Sequence, residues 1–290
     1  MHILKNDIYI FYFFLYFKMN KEELKVLELI YKVHMTLLEM LIDRGYELYD
    51  EDEDYYGNFF SDEQGELMRI INETKDKQSL FSEIKNIKAE IRQRKLENKQ
   101  LFIERVTDEA IKKEQSVRQV LTKIYENEYG DHILVYYIDS HKSIGIDALS
   151  GMINYMEEKN VTHAIAIIPR KMTSDAGKKI QGLPALTIEV FLESELVYNP
   201  TKHILVPKHY ALSGEQFDKF YQQNKSELDK YPMLQTQDII SRYYGFKNGT
   251  IVGIHNINFL ESIIKKYLSI KLVQNPTLKK PIVDLSLIHI

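Results

Sequence analysis

The tightest constraint on what this chain can fold into is a pair of apolar runs set on either side of one helical segment. His132 to Ile138 (HILVYYI) is a compact apolar stretch that reads as a strand, and Thr162 to Ile168 reads as another. Between them, Ile146 to Glu158 places Ala148, Met152 and Tyr155 on one side of a helix. Two strands joined through a helix pair in parallel, by a right-handed crossover, because a tight turn joins only antiparallel neighbours. Ala185 to Phe191 supplies a further strand to the same sheet. An α/β unit with a mixed sheet is therefore expected in the middle of the chain.

The chain has 290 residues, 44% hydrophobic and 28% charged, which allows two modest domains with cores of their own. It contains no cysteine, so disulfide staples, Cys-ligated zinc and thiol catalysis are excluded. The net charge of −4 argues against a free-standing basic nucleic-acid binder, so any contact with DNA must come from a local patch. Both ends are unusual. Ile8 to Phe17 is a ten-residue apolar and aromatic run, too short to span a bilayer as a helix. It is followed by Lys18-Met19-Asn20 rather than by a small-residue cleavage site. Residues 1–18 are read as a non-native leader, with initiation at Met19, or else as a genuine but disordered N-terminal tail. Residues 274–290 are read as a tail whose final hexapeptide, Leu285 to Ile290, resembles translated sequencing adapter and is assigned no function.

The remaining elements follow from periodicity and punctuation. Glu22 to Arg44 carries Leu24, Leu27, Tyr31, Leu38 and Leu41 at helical steps, and Gly45 suits a left-handed stop. Tyr46 to Tyr49 reads as a short strand, and the acids Asp50 to Asp54 as a solvated loop. Residues 75–100 are charged and helix-prone, with Phe81, Ile84, Ile87 and Ile91 as an apolar stripe that breaks at Arg94 and Asn98. This reads as a helical insertion on a domain surface, with Arg92, Arg94 and Lys95 on a solvated face. Leu101 to Val106 then reads as a strand and Ala110 to Ile124 as a helix. Composition shifts near Asn199-Pro200, and residues 200–273 carry ten Lys/Arg against six Asp/Glu. Ser213 with Gln216 is a capping-box pattern ahead of a helix through Phe217 and Phe220. Asp238 to Tyr244 reads as a helix stopped by Gly245, Lys247-Asn248-Gly249 as a turn, and Thr250 to Ile254 and Tyr267 to Val273 as strands.

Little in the chain points to catalysis. It has no Gly-x-Ser-x-Gly elbow and no Gly-rich phosphate loop. His203 and His209 flank a strand-like Leu-Val-Pro without further ligands to make a metal site, so no metal and no cofactor is expected. Asp139 at a strand end, with Glu157-Glu158-Lys159 nearby in sequence, is reminiscent of a metal-dependent nuclease. Glu157 and Lys159 stand two apart at a helix end, however, and point in different directions. A charged helix terminus is the better reading.

The C-terminal third resembles the fifth subunit shared by the eukaryotic nuclear RNA polymerases I, II and III, and is similar to the small archaeal polymerase protein that corresponds to that subunit's C-terminal domain. The residues that carry this are His203-Ile204-Leu205-Val206-Pro207-Lys208-His209, Pro232, Leu234, Asp238, Arg242-Tyr243-Tyr244-Gly245, Gly249 and Val252, in order and spacing. The likeness extends forward through Asp43-Arg44-Gly45-Tyr46, Ile144-Gly145-Ile146, Met172-Thr173, Ala176 and Glu189 to Leu196, while residues 57–100 match poorly and run longer than in the family. Three departures stand out. The family's Thr-Pro-Ser-Ala loop is Thr173-Ser174-Asp175-Ala176 here, Ile239 replaces a proline, and Asn256 to Lys266 stands where the family carries Arg-x-Ser-Glu-Thr-x-Gly.

The resemblance implies an α/β plus α+β architecture: a jaw-type N-terminal domain over 19–199 and a small C-terminal assembly domain over 200–273. It implies a non-catalytic subunit of a DNA-directed RNA polymerase in the nucleus, with no active site and no membrane contact. The C-terminal domain would dock on the largest subunit through His203, Pro207, His209, Asp238, Arg242, Tyr243 and Gly245. The N-terminal domain would lie beside downstream duplex DNA, held weakly and without sequence preference, with Lys171, Thr173 and Ser174 nearest to it. A divergent paralogue acting as a scaffold or regulator is the rival reading, and the missing Ser-Glu-Thr segment is what favours it.

Overall fold

Strands buried on both faces need helices on both sides, and the first part of the chain supplies them. The computed structural model describes residues 20–49, 52, 77–140, 142–203, 206–256, 267–274 and 288–289. The leader at 1–18, the acids flanking Asp52, and the segment 257–266 lie outside the described residues. The chain divides into two units, at Tyr198 and Asn199. The first contains α1 (Lys21–Asp43), α2 (Lys77–Lys113), α3 (Val117–Val120), β1 (Lys123–Glu126), β2 (His132–Tyr137), α4 (Ile146–Glu158), β3 (His163–Ile168), α5 (Ser174–Gln181) and β4 (Thr187–Leu192), closed by a 3-10 turn at Glu193–Glu195.

The sheet order is β1-β2-β3-β4, with β1 antiparallel to β2 and the other neighbours parallel. This is a mixed α/β unit, as the strand–helix–strand pattern requires. On one face Leu134, Ala164, Ala166 and Ile168 pack with Leu149, Met152 and Met156 of α4 and Ala176 of α5. Toward the other face Tyr137 meets α1, its hydroxyl 3.0 Å from His34 Nδ1. Asn20 opens α1 with a reciprocal capping box to Glu23, and Gly45, at φ +84°, follows its end in the left-handed region that glycine adopts without strain. Residues Val33 to Leu41 are buried without a break, so this part of α1 packs on more than one side.

Four expectations need correction here. Leu101 to Val106 is helix, not strand, because it continues α2. Phe102, Ile103, Val106 and Ala110 are buried at helical spacing, and the Phe102 ring lies 5.3 Å from that of Tyr31 on α1. The expected helix Ala110 to Ile124 is broken: α2 ends where Glu114 turns to φ +53°, Ser116 and Gln119 form a capping box that starts α3, and β1 has begun by Lys123. Asp52 is not solvated but buried, with Tyr125 donating to it at 2.9 Å and Lys123 at 3.2 Å. Tyr46 to Tyr49 is not a strand: Tyr46 makes an isolated bridge opposite Asn127, and the Glu47 amide donates to the Glu126 carbonyl at 2.8 Å.

The second unit has a 3-10 turn at Pro200–Lys202, β5 (Lys208–Ala211), α6 (Gly214–Asn224) running into a 3-10 segment Lys225–Lys230, β6 (Met233–Gln235), α7 (Ile239–Tyr244), β7 (Ile251–Asn256), β8 (Tyr267–Gln274) and β9 (Ile288–His289). The strand path is β5-β7-β8-β6, with β9 paired to β8. Strand β6 runs parallel to β8 and the other pairs are antiparallel. Phe220 and Tyr231 pack edge-on against each other over Ile251, and Leu234, Val252 and Ile254 make a second small cluster with Phe246. Ser213 precedes α6, but its side chain makes no capping bond; Gly214 takes φ +53° instead. Of the strand-like Leu-Val-Pro, Leu205 lies outside the described residues, and Val206 and Pro207 precede β5, which begins at Lys208. Among the described residues, no helix is long and apolar enough to cross a membrane.

Replacing Phe102 by Ala is expected to destabilise the first unit by about 3–5 kcal/mol, as for a fully buried core aromatic. Urea denaturation followed by far-UV circular dichroism measures this. A change below about 0.5 kcal/mol, typical of a surface substitution, would show that α2 does not pack there.

Candidate functional site

The residues singled out for partner contact fall on two stretches of the second unit. On α7, Asp238 is the N-cap: its Oδ1 accepts the amide of Ile240 at 2.8 Å. Gly245 ends the helix at φ +65°, with Gly245 and Phe246 amides donating to the Arg242 and Ser241 carbonyls at 3.1 and 2.9 Å. Tyr243 is fully buried, and its hydroxyl accepts from Asn199 Nδ2 at 2.8 Å. Asn199 Oδ1 in turn accepts from the Thr201 amide and hydroxyl at 2.8 and 2.7 Å. Tyr243 is therefore an internal residue, and through Asn199 it positions the turn that leads to His203. Arg242 is half-buried and His203 exposed.

The second stretch runs into β5. His209 is buried, and its Nδ1 donates to the Pro207 carbonyl at 2.7 Å, which leaves the lone pair on Nε2 in the neutral ring. Pro207 thus shapes the approach to the strand and His209 locks it. No group of three or more His, Asp or Glu side chains with metal-binding geometry occurs among the described residues. One feature of this unit went unread in the sequence. Tyr210 lies directly opposite Gly253 in the β5–β7 register, and a Cβ on Gly253 would stand 2.5 Å from its ring. A glycine inside the strand pattern Ile-Val-Gly-Ile is the available signal for such a close approach.

In the first unit Lys171, Thr173 and Ser174 lie where the chain enters α5. Ile144 and Met172 form a parallel bridge, and the Thr173 amide donates to the Ile144 carbonyl at 3.0 Å. Thr173 Oγ1 is occupied as the N-cap, accepting from Ala176 at 3.3 Å, while Lys171 and Ser174 are exposed.

Two segments far apart in sequence meet across this unit. Arg44 forks onto Glu189 with Nη1 and Nη2 donating at 2.8 and 2.7 Å, and His163 Nε2 stands 2.7 Å from the same carboxylate. Burial raises the Glu189 pKa, but His163 and Arg44 outweigh it and hold the carboxyl at about 2. Asp52 follows the same logic: burial opposes ionisation, yet His34, Lys123 and Tyr125 bring it to about 2. His34 Nε2 is 3.8 Å from Asp52 Oδ1, beyond hydrogen-bond reach. A third cluster bears on the nuclease reading. Arg118 donates to Glu193 at 2.9 Å through Nε and to Asp139 at 3.3 Å through Nη1, so Asp139 is held as an ion-pair partner. Glu158 likewise pairs with Lys159 at 3.1 Å.

The geometry therefore describes a two-unit mixed α/β protein whose notable polar groups tie elements together. Comparisons with known proteins agree with the likeness read in the sequence. Residues 198–268 match the family model of the RNA polymerase Rpb5 C-terminal domain. Curated relatives named DNA-directed RNA polymerases I, II, and III subunit RPABC1, from Caenorhabditis elegans and Caenorhabditis briggsae, are each 30% identical over 131 residues, covering 45% of this chain and 62% of the relative. The Dictyostelium discoideum protein of the same name is 31% identical over 127 residues, covering 43% of this chain and 64% of the relative. The matched region spans less than two thirds of each relative's length.

Both depressed carboxyls contribute stability that is complete above their ordinary values of 4.5 for Glu189 and 3.8 for Asp52, and is lost as pH falls toward about 2. The unfolding free energy of the first unit, measured between pH 5 and 2 (about the span of these titrations), is expected to fall steadily as the pH is lowered. Glu189→Gln is expected to cost about 3 kcal/mol at pH 7, by leaving the Arg44 charge without its partner, and to flatten part of the acid dependence. An unchanged acid profile in that variant would remove Glu189 from the argument.

Proposed function

We propose that the chain is a non-catalytic subunit of a DNA-directed RNA polymerase and acts in the nucleus. The observation that carries this is the match of residues 198–268 to the Rpb5 C-terminal domain, over a segment that coincides with most of the second unit. In this reading the second unit is the assembly module. His203 and Arg242 meet the largest subunit, while Asp238, Tyr243 and Gly245 fix α7, and Pro207 and His209 fix the approach to β5. The first unit is the jaw beside downstream duplex DNA, with Lys171, Thr173 and Ser174 at its DNA side, where Asp175 weakens the attraction to phosphate. The chemistry of polymerisation belongs to other subunits, and this chain contributes position.

A scaffold or regulator derived from such a subunit is the second reading, and the replacement of the Ser-Glu-Thr segment by Asn256 to Lys266 is what supports it. Affinity purification of the tagged chain separates the two. Co-purification of the large polymerase subunits in stable stoichiometry is the expected outcome. Their absence, with other proteins recovered instead, would overturn the polymerase reading.

A further inference from the structure

Helix α2 segregates its charges by face. Lys85, Lys88, Arg92, Lys95 and Lys99 follow one another at steps of three and four, so they form a single row along the helix. The row rises about 21 Å from first to last. Lys85, Lys88 and Arg92 are exposed, and Lys95 and Lys99 half-buried. None of the first four has a carboxylate three or four residues away on either side; their helical neighbours at those steps include one another. Like-charge neighbours at these steps repel one another and destabilise the helix. Lys99, at the inner end, pairs with an acid across helices, Glu28 of α1 at 2.7 Å.

The acids of this helix are placed elsewhere. Glu90, Glu97 and Glu104 recur every seven residues on another face, where Gln93 and Gln100 donate to Glu97 and Glu104 at 2.8 Å. The basic cluster Arg92-Gln93-Arg94-Lys95 is thereby split. Arg92 and Lys95 belong to the row, while Arg94, two residues or about 200° round from Arg92, does not.

We propose that this row is a docking surface for the phosphate backbone of duplex DNA. A straight line of single-sign charge complements a rigid duplex, which presents about six phosphates per strand over 21 Å of axis. The row carries no aromatic side chain on which unstacked bases would lie, as single-strand surfaces do. Beside it only Leu96 exposes apolar surface on this stretch of helix, whereas a protein interface centres on a cluster of apolar or aromatic anchors. The site is separate from the entry to α5 and stands on the charge pattern of α2 alone, whichever assembly the chain joins.

Fluorescence anisotropy of a labelled DNA duplex with the full-length chain, across 25–200 mM salt (about the range where phosphate contacts dominate), tests this. Lys85→Gln, Lys88→Gln and Arg92→Gln combined are expected to weaken binding at least tenfold at low salt and to lower the salt slope by about 3, near 0.9 per phosphate contact. Arg94→Gln is expected to change neither. The triple variant relieves repulsion, so its urea midpoint should not fall, which separates lost binding from lost folding. Four outcomes would overturn the proposal: no binding by the wild type at low salt, an unchanged slope in the triple variant, an equal loss per charge in Arg94→Gln, or tighter binding of single-stranded DNA or duplex RNA than of duplex DNA. Failure of polymerase subunits to co-purify would leave these readouts untouched.

Discussion

Parallel strand pairing is the constraint on which the first unit depends. A parallel pair cannot be closed by a tight turn, so the β2–β3 and β3–β4 pairs each need a crossover, and α4 and α5 provide them. Those helices cover one face, and the strands are buried on both, so a second helical layer is required. Helix α1 meets that need through His34 and Tyr137, and α2 packs against α1 through Phe102. The polar clusters then hold the layers in register: Arg44 to Glu189 joins the end of α1 to β4, Arg118 to Glu193 joins α3 to the turn after β4, and Asp52 fills the space between His34, Lys123 and Tyr125.

Much of this was legible in the sequence, and the failures have physical causes. Ile146 to Glu158 was read to its ends because apolar period, strand flanks and length all agreed. Leu101 to Val106 was misread because a six-residue window rich in Phe, Ile and Val does not distinguish a strand from a helix buried on one side. The deciding residues, Ile91, Asn98 and Ala110, lie outside that window. Asp52 was misread because a run of acids carries no sign of which member finds a partner, and its partners are more than 70 positions away, at Lys123 and Tyr125. Arg44 and Glu189 were each noted, but a pairing across 145 positions is invisible without the fold.

In the second unit the same groups that carry the family likeness are engaged in shaping the chain. Asp238 caps, Gly245 stops, Tyr243 holds Asn199, and His209 holds the Pro207 carbonyl. Their spacing is therefore a record of local geometry as much as of contact. A substitution among them acts first on the chain's own geometry.

The continuous run of α2 has a consequence for how its length can vary. A loop absorbs an added or missing residue by bending, but a helix turns about 100° for each one. Because Phe102, Ile103 and Val106 fix the rotation of its inner end, a single deletion between Lys95 and Lys99 would swing Lys85, Lys88, Arg92 and Lys95 a quarter-turn or more round the axis while leaving composition almost untouched. Only changes near whole turns, three or four residues or seven, would keep the row facing as it does. The segment that looks freest to drift in length is thus geared in steps, like a screw thread engaged at one end.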